Sequence, residues 1–275
     1  MFGVNTTPGD ALQRVKRSNE NMVRTPDRKR RREMSKPTSR KPRKAAYHDD
    51  AAVQAAYDRI LAAVKDAEAR AAAGDIPAPY IGTANVKTGA GNEGTASLVT
   101  CCMHARGTCG HECYAAWRID NRLDEARRHH AENTVIRRLA PFAYYCGFLA
   151  FCASRGLILR VNETGDFETP DQLRALIRAA ACYPYVHVIG YTRRPEMAPL
   201  LRELPDNVDI RYSTYRDGVH TAPAGVRVAA VDDVRTNCPS QVAADLGKTW
   251  TCSQCAACGG GCCCKSRLVQ WFRAH

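Results

Sequence analysis

The hydrophobic positions in the first half of the chain follow the spacing of helices. Seven apolar or aromatic side chains recur three or four positions apart in a segment that Asp50 precedes and Gly74 follows. Asp is favoured at helix N-termini and Gly just past their ends, so this pattern predicts a helix over residues 49–75. Residues 114–139 and 141–155 predict two further helices, the second of them strongly apolar.

After residue 156 the pattern changes to short apolar runs that alternate with helical segments. Helices are predicted over residues 170–182 and 195–204, and the apolar runs predict buried strands. The predicted strands cover residues 157–161, 186–191, 208–213 and 226–231. Alternating strands and helices imply βαβ units and a parallel sheet. Because the units are too few for an eight-fold barrel, we predict an α/β fold that is a partial (β/α) barrel or an open parallel sheet.

Polar residues stand where these predicted strands end. Glu163 and Asp166 follow the first strand, Arg193 follows the second, and Ser213 closes the third. In parallel α/β sheets, ligands bind beyond the carboxyl ends of the strands, so we predict that these four residues bind a cofactor. A carboxylate there accepts hydrogen bonds from an amine or ribose hydroxyls, and Arg193 suits a carboxylate or a phosphate. The alternative is that each residue only solvates a loop or caps a helix.

The net charge of +12 is concentrated near the start of the chain. Residues 14–44 hold 14 Lys/Arg against 3 Asp/Glu and almost no apolar side chains. Such a segment is typical of a disordered tail that binds polyanions through counterion release, and DNA is the partner we expect. A solubilising or targeting tail is the alternative.

These patterns divide the chain into four regions. They are a disordered basic tail (1–48), a helix (49–75), an α/β core with the first cysteine cluster (76–235) and a C-terminal cysteine-rich, metal-binding segment (236–275). The longest uncharged apolar stretch, residues 139–154, is short for a bilayer, and the N-terminus lacks the apolar segment of a signal peptide. The sequence therefore predicts a cytoplasmic protein with no membrane partner.

Fourteen cysteines are present, and eleven of them fall in two clusters. The remaining three, Cys146, Cys152 and Cys182, lie in apolar helical patterns and are predicted core residues. The C-terminal cluster offers four ligands, which are Cys238, Cys252, Cys255 and Cys258. The glycines at 259–261 permit a tight turn after them, so the four thiolates can converge on one centre. Zinc and a [4Fe–4S] cluster both accept four sulfurs, and both remain open at this point. Free or disulfide-paired cysteines are the alternative to a metal centre.

The first cluster has three thiols in a glycine-containing segment, Cys102, Cys109 and Cys113. Cys101 is an alternative to Cys102. Three ligands leave one position of a metal centre open, and an open position is typical of catalytic rather than structural sites. A structural zinc site with His104 or His111 as the fourth ligand is the alternative.

The order of short motifs along the chain is similar to that of a known protein family. The motifs are Lys87-Thr88-Gly89, Cys113-Tyr114-Ala115, Gly165-Asp166-Phe167, Tyr191-Thr192-Arg193, Cys238-Pro239 and the Cys252–Cys258 knuckle. In this order the chain resembles a phage and plasmid protein family named after gene product 88. That family is in turn similar to radical S-adenosylmethionine enzymes, which have a partial (β/α) barrel and three cysteines near its start. Their usual spacing is Cys-x3-Cys-x2-Cys, from which x6 and x3 depart here.

The resemblance implies an enzyme. Cys102, Cys109 and Cys113 would be the catalytic cysteines that hold a [4Fe–4S] cluster, S-adenosylmethionine would bind its open iron, and an electron donor would be a partner. A phage origin and the basic tail make modified DNA the expected substrate, with an isomerisation or rearrangement in thymidine hypermodification as the reaction. The alternative is a zinc-stabilised nucleic-acid-binding protein without catalysis.

Overall fold

The apolar runs after residue 156 form the middle of one parallel sheet. The computed structural model describes residues 50–76, 78–81, 95–101, 103, 124–215, 221–232 and 269–273. All of them belong to one unit that spans residues 42–275. The strands are β1 (Thr95–Val99), β2 (Ile158–Thr164), β3 (Val188–Thr192), β4 (Val208–Tyr215), β5 (Val228–Asp232) and β6 (Val269–Arg273). The helices are α1 (Asp50–Ala72), α2 (Asp124–Leu139), α3 (Pro141–Arg155), α4 (Pro170–Ala181) and α5 (Ala198–Leu201).

The six strands pair in the order in which they occur along the chain, and every pairing is parallel. Connections between parallel strands are right-handed, so an order that always advances in one direction brings successive crossover helices to the same face of the sheet. The predicted α/β class and parallel sheet are therefore confirmed. Within the described part of the chain, β1 and β6 form the two edges of the sheet.

The main core lies between one face of the sheet and helices α3 and α4. Alternate strand residues such as Leu159, Val161 and Ile210 are buried there together with Leu173 and Leu176 of α4. The period of two along the strands and the three-to-four spacing along α4 produce these two apolar surfaces. Helices α3 and α4 cover this face of the sheet. The strand residues that alternate with the core residues therefore point to the opposite face.

A second, smaller core joins α1 to α2. Ile60, Val64 and Ala67 of α1 pack against Ala131 and Val135 of α2. An ion pair between Arg70 and Glu132 also joins these two helices. The predicted helix over residues 49–75 is thus confirmed, with α1 as its observed extent.

Some predicted boundaries differ from the observed ones. The segment predicted as a helix over residues 195–204 forms a short 3-10 turn at Pro195–Met197 and then α5. Pro199 has no backbone N–H to donate to the carbonyl of Pro195, which prevents a regular longer helix. Within the predicted helix over residues 114–139, the described part begins at Asp124. Strands β1 and β6 were not predicted, because both are short and stand next to cysteine-rich sequence.

None of the helices in the described ranges is long and apolar enough to cross a membrane. The predicted tail, residues 1–48, lies outside the described residues.

Candidate functional site

The carboxyl edge of the sheet begins where β1 and β2 end side by side. The backbone N–H of Thr100 donates to the carbonyl of Thr164 at 3.2 Å, and the Thr164 hydroxyl donates to the carbonyl of Thr100 at 3.1 Å. Both threonines are buried. These reciprocal bonds hold the chain that leaves β1 against the end of β2, immediately before Cys101 and Cys102.

Gly165 makes this contact possible. Its φ is +82°, in the left-handed region that favours glycine. A Cβ atom at this position would lie 2.8 Å from the Thr100 carbonyl oxygen and still closer to the Thr100 hydroxyl. The space that a missing side chain leaves at Gly165 is therefore filled by the protein's own chain leaving β1, and the turn after β2 lies directly against the entrance to the first cysteine cluster.

Asp166 ties the end of β2 to the end of β3. One carboxylate oxygen accepts the backbone N–H of Phe167 at 2.7 Å, and the other accepts the backbone N–H of Arg193 at 2.8 Å. Burial raises the pKa of Asp166, while the N–H groups of Arg193 and Phe167 and the Thr192 hydroxyl counteract the rise. The structure thus brings together two of the predicted cofactor-binding residues, Asp166 and Arg193, through a backbone contact.

The other two predicted cofactor-binding residues stand at the same edge. Ser213 is half-buried and lies one position past the paired residues Thr192 and Tyr212, level with Arg193. Glu163 is half-buried in β2, one position before Thr164, and its carboxylate makes no hydrogen bond or ion pair with the residues that the structure describes. Their assignment to a cofactor stays a prediction.

Arg137 of α2 positions the turn that carries Asp166. Its side chain is 1% exposed, and its guanidinium donates to the backbone carbonyl of Asp166 at 2.7 Å and to the Asn162 side-chain oxygen at 3.2 Å. Asn162 itself has a φ of +53° and donates to the carbonyl of Tyr191 at 3.3 Å. Sequence reasoning missed Arg137, because a basic residue in the last turn of a helix is typical of any helix.

A partly buried ion pair stabilises the same turn from outside. Glu168, whose side chain is 11% exposed, accepts two hydrogen bonds from Arg138, at 2.6 and 2.8 Å. Burial alone would raise the pKa of Glu168, but the hydrogen bond and charge of Arg138, helped by Arg137, outweigh it and leave the pKa below its usual value. The folded state therefore favours the ionised carboxylate.

Replacing Glu168 with glutamine should lower the free energy of unfolding at pH 7 by about 1–2 kcal/mol. A lowered pKa stabilises the fold above the unfolded-state value of 4.5 and loses that contribution as the pH falls through the folded-state pKa. The difference between wild type and Glu168→Gln should therefore shrink below about pH 4.5, measured by urea unfolding across pH. The exposed Glu203→Gln variant is the control. An equal loss of stability at all pH values would mean that the loss does not come from the ionised carboxylate of Glu168.

The face of the sheet opposite the helices carries buried polar side chains. Asp209 of β4 lies between two guanidiniums, with Arg211 at 3.1 Å and Arg227 at 3.0 Å. Arg160 of β2 and Ser97 of β1 are register partners on the same face. Sequence reasoning missed this face, although one polar residue at every second position of β4, from Asp209 to Ser213, was a usable signal.

Of the cysteines assigned to metals, all seven lie outside the described residues. They are Cys102, Cys109, Cys113, Cys238, Cys252, Cys255 and Cys258. Cys101, the alternative to Cys102, is buried in the small core between α1 and α2, and its backbone N–H donates to the Thr134 hydroxyl at 2.9 Å. Among the described residues, no group of three or more Cys, His, Asp or Glu side chains is arranged to hold a metal ion.

The three cysteines predicted to lie in the core have different environments. Cys152 of α3 is buried in the main core, where burial raises its pKa to about 12. Cys146 is only half-buried, on the margin of that core. The prediction was wrong for Cys182, which is exposed because it stands at the C-terminal end of α4, past the last buried turn.

One comparison with known proteins gives a match. A family model described as Gene product 88 matches residues 53–267, which is most of the chain. No curated protein and no solved structure matches it.

Proposed function

The chain belongs to the gene product 88 family, and from that premise we propose that it is a radical S-adenosylmethionine-type iron–sulfur enzyme that acts on nucleic acid. The specific reaction we propose is an isomerisation or rearrangement of a modified thymidine in phage DNA. The barrel geometry, the cofactors and the substrate all belong to this proposal.

The observation that carries the proposal is that the chain leaves the sheet at the same edge before each of the two cysteine clusters. The first follows β1, whose last residue is Val99, and the second follows β5, whose last residue is Asp232. Because the strands are parallel, both departures are at the carboxyl edge, where α/β proteins bind their ligands. Three cysteines just after the first strand also match the position, near the start of the barrel, that the resemblance implies.

The order of the strands supports a partial barrel. A sheet in which each strand pairs with the next one along the chain can curl with its helices outside, as (β/α) barrels do. The opposite face would then be the inside of the barrel, and this face is lined with buried polar groups such as Ser97, Asp209 and Arg211. A protein that only binds a polyanion at its surface has no need of such a face.

The residues present fit the cofactors. Cys102, Cys109 and Cys113 would hold the cluster, since Cys101 is already packed among apolar side chains. Held by these three cysteines, such a cluster would supply the one-electron reduction of S-adenosylmethionine on which radical chemistry depends.

The described polar residues at the carboxyl edge would bind the rest of S-adenosylmethionine. The carboxylate of Glu163 suits its ammonium group, and the guanidinium of Arg193 suits its carboxylate. Ser213 can donate to or accept from a ribose hydroxyl. Asp166 already accepts two backbone N–H groups, so its part is to fix the chain at Arg193. The second centre, at Cys238, Cys252, Cys255 and Cys258, would be an iron–sulfur cluster or zinc.

Anaerobic purification tests the proposal directly. The protein should be brown with a broad absorption near about 400 nm, and its iron and acid-labile sulfide should correspond to at least one cluster. After reduction with dithionite it should convert S-adenosylmethionine to methionine and 5′-deoxyadenosine, measured by chromatography. A colourless protein that contains only zinc would overturn the proposal.

The basic segment favours a second candidate, a zinc-stabilised nucleic-acid-binding protein without catalysis. Residues 14–44 suffice for polyanion binding, and the Cys252–Cys258 spacing suits structural zinc. This candidate requires zinc at both cysteine segments and no cleavage of S-adenosylmethionine, so the same purification separates it from the enzyme.

A further inference from the structure

Two hydroxyl groups of β1 are buried without a partner among the residues that the structure describes. Thr95 is 2% exposed and Ser97 is 1% exposed, and neither side-chain oxygen makes a hydrogen bond within the described ranges. Both face the polar side of the sheet, since the alternate residues Ala96 and Leu98 belong to the main core. Buried hydroxyls are almost always hydrogen-bonded, so two neighbouring ones without a partner in the described part of the chain are available to bind a ligand.

Arg160 lies beside them and has no counterion among the described residues. It is the register partner of Ser97 on β2, its Nε is buried without a hydrogen-bond partner, and it forms no ion pair with the residues that the structure describes. Its guanidinium lies 6.0 Å from the centre of the Tyr191 ring, on the same face of the sheet. A half-buried cation without a counterion is costly, because the aromatic ring compensates only part of the lost hydration.

The neighbouring charges add to the positive potential of this face. Arg211 and Arg227 both form an ion pair with the carboxylate of Asp209. Burial lowers the pKa of Arg227, and the charge of Arg211 acts in the same direction against the attraction of Asp209. A water molecule could satisfy the hydroxyls of Thr95 and Ser97 but would not neutralise a guanidinium, whereas an anion would do both.

We propose that the buried polar face of β1 and β2 binds an oxyanion, a phosphate or carboxylate group of a small molecule or nucleotide, with Arg160 as its counterion and Ser97 and Thr95 as hydrogen-bond donors. Arginine with hydroxyl groups is the donor set that such groups prefer in proteins. This site goes beyond the proposed function, because it requires neither the iron–sulfur cluster nor S-adenosylmethionine.

The position of Ser97 along β1 determines how a ligand would be oriented in this site. Ser97 lies two residues before the end of β1, which places the anionic group about 6–7 Å below the carboxyl edge of the sheet. The remainder of the molecule would then extend toward the edge, where Glu163, Arg193 and Ser213 lie.

Binding of simple anions to the full chain as purified tests the site. Inorganic phosphate and acetate are titrated separately at constant ionic strength, and both the melting temperature and calorimetric heats are followed. At least one of the two ions should bind saturably, and the stronger one identifies the ligand as a phosphate or a carboxylate. If neither ion produces a saturable response with the wild type, the proposal is wrong.

Three variants locate the binding. Arg160→Gln and Ser97→Ala should each weaken anion binding at least tenfold. Arg174→Gln, which changes an exposed arginine of α4, should bind the anion as the wild type does. Without the anion, Arg160→Gln and Ser97→Ala should be at least as stable as the wild type, because the first removes a half-buried charge and the second removes an unsatisfied buried hydroxyl. Loss of stability in both would mean that these side chains serve the fold and would overturn the proposal. Iron content, measured on every sample, separates this outcome from a failure of the proposed cluster chemistry.

Discussion

Replacing Gly165 with alanine should lower the free energy of unfolding by about 3–5 kcal/mol. The φ of +82° strains any residue with a Cβ, and the added methyl group would lie 2.8 Å from the backbone carbonyl of Thr100. A threonine side chain can rotate away from a clash, but this carbonyl is held by the Thr164 hydroxyl. The turn after β2 and the chain leaving β1 would therefore have to separate.

Urea unfolding of Gly165→Ala measures this effect, and Gly147→Ala is the matched control. Gly147 stands in α3 with nothing within 4 Å of its added Cβ. Alanine is favoured over glycine in a helix, so the control should be unchanged or stabilised by up to about 1 kcal/mol. If Gly165→Ala behaves like the control, the contact between the two strand ends is not tight in solution.

The second large effect concerns the paired cysteines that follow β1. Cys102→Ala should remove one cluster's worth of iron and abolish the cleavage of S-adenosylmethionine, because the proposed cluster has only three protein ligands. Cys101→Ala should keep both, since the Cys101 side chain packs with Ile60 and Val135 in the small core. It should instead lower the free energy of unfolding by about 1–2 kcal/mol.

Iron per chain, 5′-deoxyadenosine formation and urea unfolding are measured on both variants after identical anaerobic purification. Cys109→Ala extends the series and should match Cys102→Ala. Loss of iron in Cys101→Ala with full iron in Cys102→Ala would reverse the assignment. Unchanged iron in all three variants would remove the cluster from this segment.

The sequence predicted the central elements of the fold because their patterns are unambiguous. The apolar run at residues 208–213 lies within β4, and the Pro141–Arg155 helix has the predicted limits. Strand β1 has only five residues, Thr95–Val99, and its alternation of polar and apolar side chains is too short to distinguish from a loop. Only its pairing with β2 makes it a strand, and that pairing depends on contacts between residues far apart in the sequence.

The sequence indicated which residues stand at the carboxyl edge of the sheet, and their assignment to a cofactor stays a prediction. The rule that ligands bind at the carboxyl edge selected Asp166 and Arg193, and they do lie together. That rule could not reveal that the Asp166 carboxylate holds the Arg193 backbone, because hydrogen-bond partners depend on the turn geometry. The role of Arg137 could not be predicted either, since the groups that accept its hydrogen bonds lie 25 and 29 residues further along the chain.

The pairing of each strand with its predecessor has a consequence for synthesis on the ribosome. A chain made from its N-terminus completes each edge of the sheet before the strand that will pair with it has been made, so β2 to β5 can be added one at a time without rearrangement. Strand β5 then remains an unpaired edge while residues 233–268, which include the C-terminal cysteine cluster, are still being synthesised. An unpaired parallel edge invites association with other chains. Nascent chains that stall before Val269 should therefore be the most prone to aggregate, because β6 is the strand that covers this edge.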